Sequence, residues 1–180
     1  MLIFLSCGMI TIQKAGVNNA ALLTGLATQA FIETHKQGVP AQDIASYLAE
    51  KMSVQAITKE LKDPANIFHL IYYNEKVAGY SKIIFNKPYY KIESQAVTKL
   101  ERIYLLKEFY DLKLGSTLFL HNTVLSKKAK QDGIWLYVWK INERAIVFYK
   151  KAGFIIIGSE NFKISENHSN PNHIMYLKYQ

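Results

Sequence analysis

The sequence predicts an α+β fold with three layers, in which helices lie on both faces of a central, mostly antiparallel sheet of about six or seven strands. Three observations support this prediction. Apolar residues recur at helical spacing between residues 18 and 62. Short runs of branched and aromatic residues, bounded by turn residues, follow from residue 67 onwards. Two further helical segments then alternate with strands, which fits neither an all-helical nor an all-β fold.

The first half of the chain begins with an alternating strand and two helical regions. Its predicted elements are a strand at 10–14, a helix from 18 or 19 towards 38, a helical region from 40 to about 62, and strands at 67–73 and 77–85. Asn18 or Asn19 is the expected N-cap of the first helix. Pro64 ends the second region, because the residue before a proline avoids helical geometry. The polar turn at 74–76 predicts a hairpin.

The second half alternates strands and helices. Its predicted elements are strands at 97–106, 134–139, 154–157 and 174–177, and helices at 116–131 and 143–152. Strict alternation along 97–106 would place Leu100, Arg102 and Tyr104 on one face of the sheet. His168 and His173 flank a polar segment that is interpreted as a surface loop. His121 lies on the apolar stripe of its helix and is interpreted as a core histidine.

Length and charge set bounds on the class of protein. A chain of 180 residues that is 49% hydrophobic is long enough for one domain with a sizeable core. The net charge of +8 favours anionic ligands such as a polyphosphate cofactor, nucleic acid or an anionic membrane surface. Nucleic acid is not predicted as a partner, because no basic helix or nucleic-acid motif is present. A membrane is not predicted either, since no run approaches the roughly 20 apolar residues of a membrane span.

The single cysteine and the N-terminus bear on localisation and domain boundaries. Cys7 has no partner within the chain for a disulfide, which favours a reducing, cytoplasmic setting. No metal-ligand spacing occurs among the histidines, so no metal is predicted. Residues 1–8 are apolar but lack a basic start, and we interpret them as a dispensable leader or a misassigned start. Residues 9–180 then form a single domain.

The turn before the helix at 116–131 has the residues of a phosphate site. Unpaired N–H groups at a helix N-terminus carry positive partial charge, and a phosphate satisfies them. Gly115 suits the sharp bend that such a site needs, Ser116 adds a hydroxyl, and Lys113 adds a positive charge. An ordinary turn followed by a helix cap is the alternative interpretation.

A second turn precedes the helix at 143–152. Ordinary helix structure explains each notable residue of this turn and helix except one. Asn142 is a good N-cap, and Gly153 is the residue expected just past the helix end. Local structure does not require a tyrosine at position 149. This tyrosine would place a phenol near the phosphorylated ligand that the first turn is predicted to bind. The alternative for Tyr149 is a half-buried ring with a satisfied hydroxyl.

From Met9 onwards the chain resembles the Gcn5-related N-acetyltransferases. The segments that carry the resemblance are the strand 100–105 (LERIYL), the turn 113–116 (KLGS), the strand 135–139 and the helical segment 142–154 (NERAIVFYKKAGF), of which the last is the most specific. Within that superfamily the chain is most similar to bacterial spermidine/spermine acetyltransferases. The resemblance implies the fold of this superfamily, in which the central strand (100–105) and the following strand (135–139) splay apart, commonly at a bulge in the central strand.

The resemblance further implies transfer of acetyl from acetyl-CoA, as co-substrate, to a small primary amine. It assigns the general acid to Tyr149 and the general base to Glu101, with Glu33 and His35 as other candidates for the base. The residues assigned to the cofactor are Ile103, Tyr104, Leu105, Tyr110, Lys113, Leu114, Gly115, Ser116, Asn142 and Lys151. The residues assigned to the acceptor are Phe31, His35 and Tyr80. Glu101 has a structural alternative, an ion pair with Lys99 or Arg102.

Two features depart from what the resemblance implies. The phosphate turn of the family has a glutamine or arginine where this chain has Tyr110, and a glycine where it has Lys113. We expect cofactor binding to be retained. A polyamine acceptor also needs a locally acidic cleft in this basic chain, for which the candidates are Glu33, Glu101, Glu160 and Glu166. Three alternatives for the acceptor stay open: a peptide N-terminus, another small amine or an aminoglycoside. A CoA-binding regulator without turnover and a homodimer through the C-terminal strands stay open as well.

Overall fold

The computed structural model describes residues 8–180, and the N-terminal residues 1–7, which hold most of the predicted leader, lie outside that range. Its strands are β1 (Ile10–Lys14), β2 (Asn66–Tyr73), β3 (Lys76–Ile84), β4 (Val97–Leu105), β5 (Gly133–Trp139), β6 (Ile155–Lys163) and β7 (Ser169–Lys178). Its helices are α1 (Ala20–His35), α2 (Ala41–Lys51), α3 (Val54–Lys62), α4 (Leu114–Lys128) and α5 (Glu143–Lys151). No helix within residues 8–180 combines the length and the apolar character needed to cross a lipid bilayer.

The strands form one seven-stranded sheet in the order β1-β2-β3-β4-β5-β7-β6. All neighbouring pairs are antiparallel except β4 and β5, which run parallel. The predicted α+β class and the mostly antiparallel sheet are therefore confirmed. Because parallel neighbours require a crossover connection, α4 lies between β4 and β5 in the chain.

Helices cover both faces of this sheet, as predicted. On one face, α4 and α5 pack on a cluster that includes Leu100, Ile134 and Met175, with Phe119 of α4 and Tyr149 of α5. On the opposite face, α1, α2 and α3 bury a larger cluster against β2 and β3. The cluster under α1–α3 includes Leu23, Phe31, Tyr47, Ile57, Phe68 and Tyr80.

A bulge in β4 determines which side chains face each layer. Lys82 of β3 pairs with Arg102, but the next residue, Ile83, pairs with Leu100, so Glu101 is an extra residue in β4. Leu100 and Arg102 consequently point to opposite faces of the sheet. The prediction that they share a face was wrong, because strict alternation does not allow for an inserted residue.

Beyond the bulge, β4 and β5 separate. Their parallel pairing is confined to residues 97–99 of β4 and 133–135 of β5. The rest of β5 stays paired with β7, and the rest of β4 stays paired with β3. The predicted splay is thus confirmed, and the gap between the two strands is the main opening in the sheet.

Two other predicted elements were wrong in extent. The helical region from residue 40 is two helices, because Ser53 begins a new one by accepting a hydrogen bond from the Ala56 N–H at 3.3 Å. The polar segment between the two C-terminal histidines is not a loop but the start of β7, in which Asn170 and Asn172 are buried. Polar residues conceal this strand from a pattern based on hydrophobicity.

His69 on β2 provides a pH-dependent contribution to stability. Burial, with the nearby His121 and Lys14, lowers the pKa of His69 to about 4. The unfolded chain therefore binds a proton on His69 as the pH falls through about 6.5, while the folded protein does not. This contribution is fully present above about pH 6.5 and is lost as the pH falls towards 4.

We expect this histidine to lower the free energy of unfolding by roughly 3 kcal/mol between pH 7.5 and pH 4. His69→Phe keeps a ring against His121, whose ring centroid lies 4.5 Å away, and removes the titration. Urea unfolding across this pH range should give a shallower pH dependence for the variant than for the wild type. Equal slopes for the two proteins would show that His69 does not carry the effect.

Candidate active site

The gap between β4 and β5 opens into a cavity of about 500 Å³. Residues of β4, including the bulge, form one wall, and Tyr137, Val138 and Trp139 of β5 form the other. The start of α4 closes one end, while Phe31 and His35 of α1 and Tyr47 of α2 line the other. The cavity thus joins the predicted phosphate turn to the predicted acceptor side.

The start of α4 has the geometry of an anion site. The first helical donor is the Thr117 N–H, which bonds to the Lys113 carbonyl at 3.1 Å, so the preceding amides of the helix have no intrahelical acceptor. A Cβ added to Gly115 would touch only a Leu105 methyl, at 3.5 Å. Protein packing therefore does not require a glycine here, and the glycine leaves the backbone open to close approach from the cavity.

Tyr149 presents its phenol to this cavity. The ring is 7% exposed and packs on Phe148 and Phe154, which fix its position. Its hydroxyl makes no hydrogen bond to any other residue in the described part of the chain. Burial, with a smaller effect of Tyr104, raises the pKa of Tyr149, so the phenol keeps its proton at neutral pH.

Asn142 begins α5 beside the same cavity. Its side-chain oxygen accepts a hydrogen bond from the Ala145 N–H at 3.2 Å, as expected of an N-cap. The cap uses the oxygen and leaves the two N–H donors of the amide for other partners. The structural role and a ligand role of this residue are therefore compatible.

Glu101 lies in the cavity but is paired. Its carboxylate is 2.7 Å from the Lys99 ammonium, the structural alternative that the sequence also allowed. Burial alone would raise the pKa of Glu101, but Lys99, with Lys82 and Arg102, outweighs this and lowers it overall. A carboxylate with a lowered pKa is a weaker base.

His35 has the properties of a neutral base. Its Nδ1 lies 2.9 Å from the Phe31 carbonyl, which can only accept, so Nδ1 carries the proton and Nε2 holds a lone pair. Burial lowers the pKa of His35, an effect that the hydrogen bond to Phe31 partly offsets. The ring stacks on Phe31 and Trp139, with centroids 4.0 and 5.2 Å away, and it lines the cavity.

Comparison with known proteins identifies the family. The sequence profile of the acetyltransferase (GNAT) family matches residues 28–154, which is more than half of the chain. The chain belongs to the acetyltransferase (GNAT) family. An uncharacterized N-acetyltransferase of Mycobacterium tuberculosis is 26% identical to this GNAT protein over 156 residues, 86% of this chain and 94% of that protein. An uncharacterized N-acetyltransferase of Lactobacillus delbrueckii subsp. lactis is 25% identical over 142 residues, 79% and 82% of the two chains.

Solved structures share the fold of this GNAT protein. The PaiA N-acetyltransferase from Thermoplasma acidophilum, in complex with coenzyme A, has a TM-score of 0.76 at 23% identity over 95% of this chain and 99% of that one. The ribosomal-protein-S18-alanine N-acetyltransferase from Escherichia coli has a TM-score of 0.68 at 18% identity over 94% of each chain. The predicted enzyme class, an acetyl-CoA-dependent N-acetyltransferase, is confirmed by these findings.

The structure brings most of the predicted site residues of the GNAT protein to one cavity. Those that line it are Phe31, His35, Glu101, Ile103, Tyr104, Leu105, Tyr110, Lys113, Leu114, Gly115, Ser116, Asn142 and Tyr149. Tyr80, predicted to bind the acceptor, is fully buried beneath α1–α3 and does not line the cavity. Lys151, predicted to bind the cofactor, is exposed at the end of α5 and does not line it either.

Several cavity residues were not predicted as functional. Arg144 of α5 lies over the Tyr110 ring at 4.2 Å and pairs with Asp111 at 3.0 Å, which brings a cation to the phosphate turn. Lys99 and Arg102 line the cavity because the bulge turns both towards α1–α3. Asn170 and Asn172 line it from β7. No sequence signal links these residues, since their contacts are distant in the chain.

Lys113 occupies a position that favours glycine. Its backbone is left-handed, with φ 60° and ψ 10°, and it immediately precedes α4. A residue with a Cβ loses about 1–2 kcal/mol in this conformation, whereas glycine adopts it without strain. The turn therefore has left-handed geometry without the glycine that the resemblance implies at this position, and this lowers the stability of the folded protein.

We expect Lys113→Gly to be more stable than Lys113→Ala by up to about 1 kcal/mol, because only the alanine keeps the strained Cβ. Both variants lose the ammonium, so any rise in KM for acetyl-CoA should be the same in both. Thermal or urea unfolding measures the first effect, and initial rates measure the second. Equal stability of the two variants would show that the turn is not strained.

Proposed function

We propose that the protein transfers acetyl from acetyl-CoA to a primary amine by direct attack in a ternary complex. The observation that carries this proposal is the single cavity that joins the free amides of α4 to the unpaired hydroxyl of Tyr149. A phosphorylated, extended co-substrate can then enter from one side of the sheet and the amine from the other.

The residues present fit acetyl-CoA. The α4 amides, with Ser116 and Lys113, would hold its pyrophosphate, and Arg144 would add a second cation there. At 103–105 one edge of β4 pairs with β3 and the other edge faces the splay, so the backbone groups of that free edge and the Asn142 amide would bind the pantetheine arm. Acetyl-CoA supplies an activated acyl group as a thioester.

Proton transfers are assigned to residues of the cavity. The amine must lose a proton before it attacks, and His35, neutral and with a free Nε2, suits this better than the paired Glu101. A backbone N–H near Leu105 would stabilise the oxyanion that develops on the acetyl carbonyl. Tyr149 would donate a proton to the departing thiolate. Glu101 would act through charge, by holding Lys99 beside the reacting groups.

The identity of the amine that accepts the acetyl group is a separate part of the proposal. The resemblance noted above favours spermidine or spermine, while a peptide N-terminus or another small amine remains an alternative. We also propose that residues 9–180 act as one cytoplasmic domain. The exposed edge strand β6 is the surface on which we would expect a homodimer to form.

Thiol release from acetyl-CoA tests the proposed function. Wild-type protein is assayed with spermidine, spermine, arylalkylamines, amino-acid amides and short peptides, and binding of CoA is measured separately by calorimetry. Amine-dependent thiol release with a matching acetylated product supports the proposal. CoA binding without turnover on any amine would contradict it and would favour a CoA-binding regulator.

A further inference from the structure

Aromatic rings line the acceptor side of the cavity, which we call the acceptor lobe. The lobe comprises Phe31, His35, Tyr47, Tyr137, Trp139 and Phe162. The Phe31 ring stacks on Tyr47 with centroids 4.5 Å apart, and Phe162 contacts both Tyr47 and Tyr137, at 6.2 and 6.3 Å. Such a slot gains most from a flat, apolar ligand, because stacking adds to the burial of apolar area.

Rings of this kind also attract ammonium groups, but a lysine of the protein already occupies that position. The Lys99 ammonium lies 5.0 Å from the Tyr137 ring centroid and 5.2 Å from that of Trp135. It also forms the 2.7 Å ion pair with Glu101. A substrate cation placed here would meet Lys99 rather than a free carboxylate.

The remaining charges disfavour a polycation. Within the described residues, the cavity is lined by two carboxylates, Glu101 and Asp111, which pair with Lys99 and Arg144, respectively. Arg102 also lines the cavity but pairs with Glu60 of α3, whereas Lys113 lines it without an ion pair to the described residues. Glu160, a candidate for an acidic cleft, accepts hydrogen bonds from Tyr89 and Tyr137, both at 2.8 Å, and does not line the cavity.

Two buried amides supply neutral polar contacts in the lobe. Asn170 and Asn172 are 3% and 7% exposed, and both line the cavity from the same face of β7. Within residues 8–180, the Asn170 Nδ2 and Asn172 Oδ1 atoms are buried without a hydrogen-bond partner. A buried polar atom without a hydrogen-bond partner is unfavourable. A ligand with one neutral polar group could form the hydrogen bonds that these two amide atoms lack within the protein.

We propose that the acceptor is a primary monoamine on a flat, apolar body that carries one neutral polar group, and not a polyamine. This rests on the proposed function. In the reaction, the neutral amine nitrogen forms a C–N bond to the acetyl carbon, and the C–S bond breaks. The sulfur leaves as a thiolate and takes a proton, while the surplus proton on nitrogen goes to the base. Tyramine, with its phenol, and phenethylamine, without it, are suitable probes.

The wild-type test compares kcat/KM for tyramine, phenethylamine and spermidine. We expect kcat/KM for tyramine to exceed kcat/KM for spermidine by at least about tenfold, because Lys99 already occupies the site that would bind a substrate cation. Phenethylamine should fall between them. Equal or greater kcat/KM for spermidine overturns the inference and leaves the proposed function intact.

A variant tests the role of Lys99 directly. Lys99→Met keeps the length of the side chain and removes the cation beside Glu101, so we expect the ratio of kcat/KM for spermidine to kcat/KM for phenethylamine to rise about tenfold. Lys62→Met makes the same chemical change at an exposed residue of α3 outside the cavity and should leave kcat/KM for both amines unchanged. An unchanged ratio in a folded Lys99→Met protein contradicts the inference.

Binding separates this inference from the proposed function. Quenching of tryptophan fluorescence, measured with CoA present, reports amine binding even where no acetyl is transferred. Binding of tyramine but not spermidine, without turnover, would support the acceptor class and contradict the proposed transfer. Binding of spermidine but not tyramine, or of neither amine, would overturn the acceptor class.

Discussion

Replacing Tyr149 with phenylalanine is expected to lower kcat by about a hundred- to a thousandfold, the range of one lost general acid. The hydroxyl makes no hydrogen bond to the other described residues, so its removal should change the free energy of unfolding by less than about 0.5 kcal/mol. KM for acetyl-CoA should change little, because the ring stays in place. Steady-state kinetics with the best acceptor, together with urea unfolding, measures these effects.

Tyr80→Phe is the matched control for this change. Tyr80 is also a buried tyrosine, its hydroxyl has no partner within the described chain, and it does not line the cavity. The same atom is removed from a comparable environment, so kcat should stay within about twofold of the wild type if only the cavity hydroxyl acts. Equal kcat for Tyr149→Phe and wild type would exclude the phenol as the proton donor.

Replacing Glu60 with glutamine is expected to have the largest effect on stability. Glu60 of α3 accepts hydrogen bonds from Arg102 at 2.6 and 3.0 Å and pairs with Lys82 at 3.2 Å. The Arg102 and Lys82 side chains are 9% and 6% exposed. Removing the carboxylate leaves two buried cations without an anion, and breaking such pairs costs about 3–5 kcal/mol.

Denaturant unfolding of Glu60→Gln should therefore show a loss of about 3 kcal/mol or more. Glu50→Gln is the control, because Glu50 pairs with Lys51 on the surface and such pairs contribute at most about 1 kcal/mol. The double variant Glu60→Gln with Lys82→Met should recover part of the loss, since one buried cation is removed. Similar losses for Glu60→Gln and Glu50→Gln would show that the buried cluster is not stabilising.

The predicted elements agree with the structure where a local pattern determines them. Alternation predicts β1, the turn at 74–76 predicts the β2–β3 hairpin, and the N-cap Asn142 predicts the start of α5. Each of these signals lies within a few residues of the element that it specifies. The phosphate turn and Tyr149 could be placed at one site only because the resemblance supplied the tertiary arrangement.

Features that depend on distant contacts could not be predicted in this way. The partners of Arg102 and Lys82 lie on α3, and neither sequence spacing nor composition connects them. The polar start of β7 is buried because it faces the cavity, which a hydrophobic pattern does not register. The left-handed backbone at Lys113 could not be predicted from the residue type either, because a residue with a Cβ normally avoids this conformation.

The inserted residue in β4 changes which positions of the strand face α1–α3. Before Glu101, odd-numbered positions such as Lys99 face α1–α3, and after it even-numbered positions such as Arg102 do. Deleting Glu101 would restore a regular ladder in which Leu100 and Arg102 keep their present faces, because these two residues already pair with consecutive residues of β3. The strand could therefore lose its inserted residue without inverting a side chain, whereas a deletion after Arg102 would move every later side chain of β4 to the opposite face of the sheet and change the wall of the cavity.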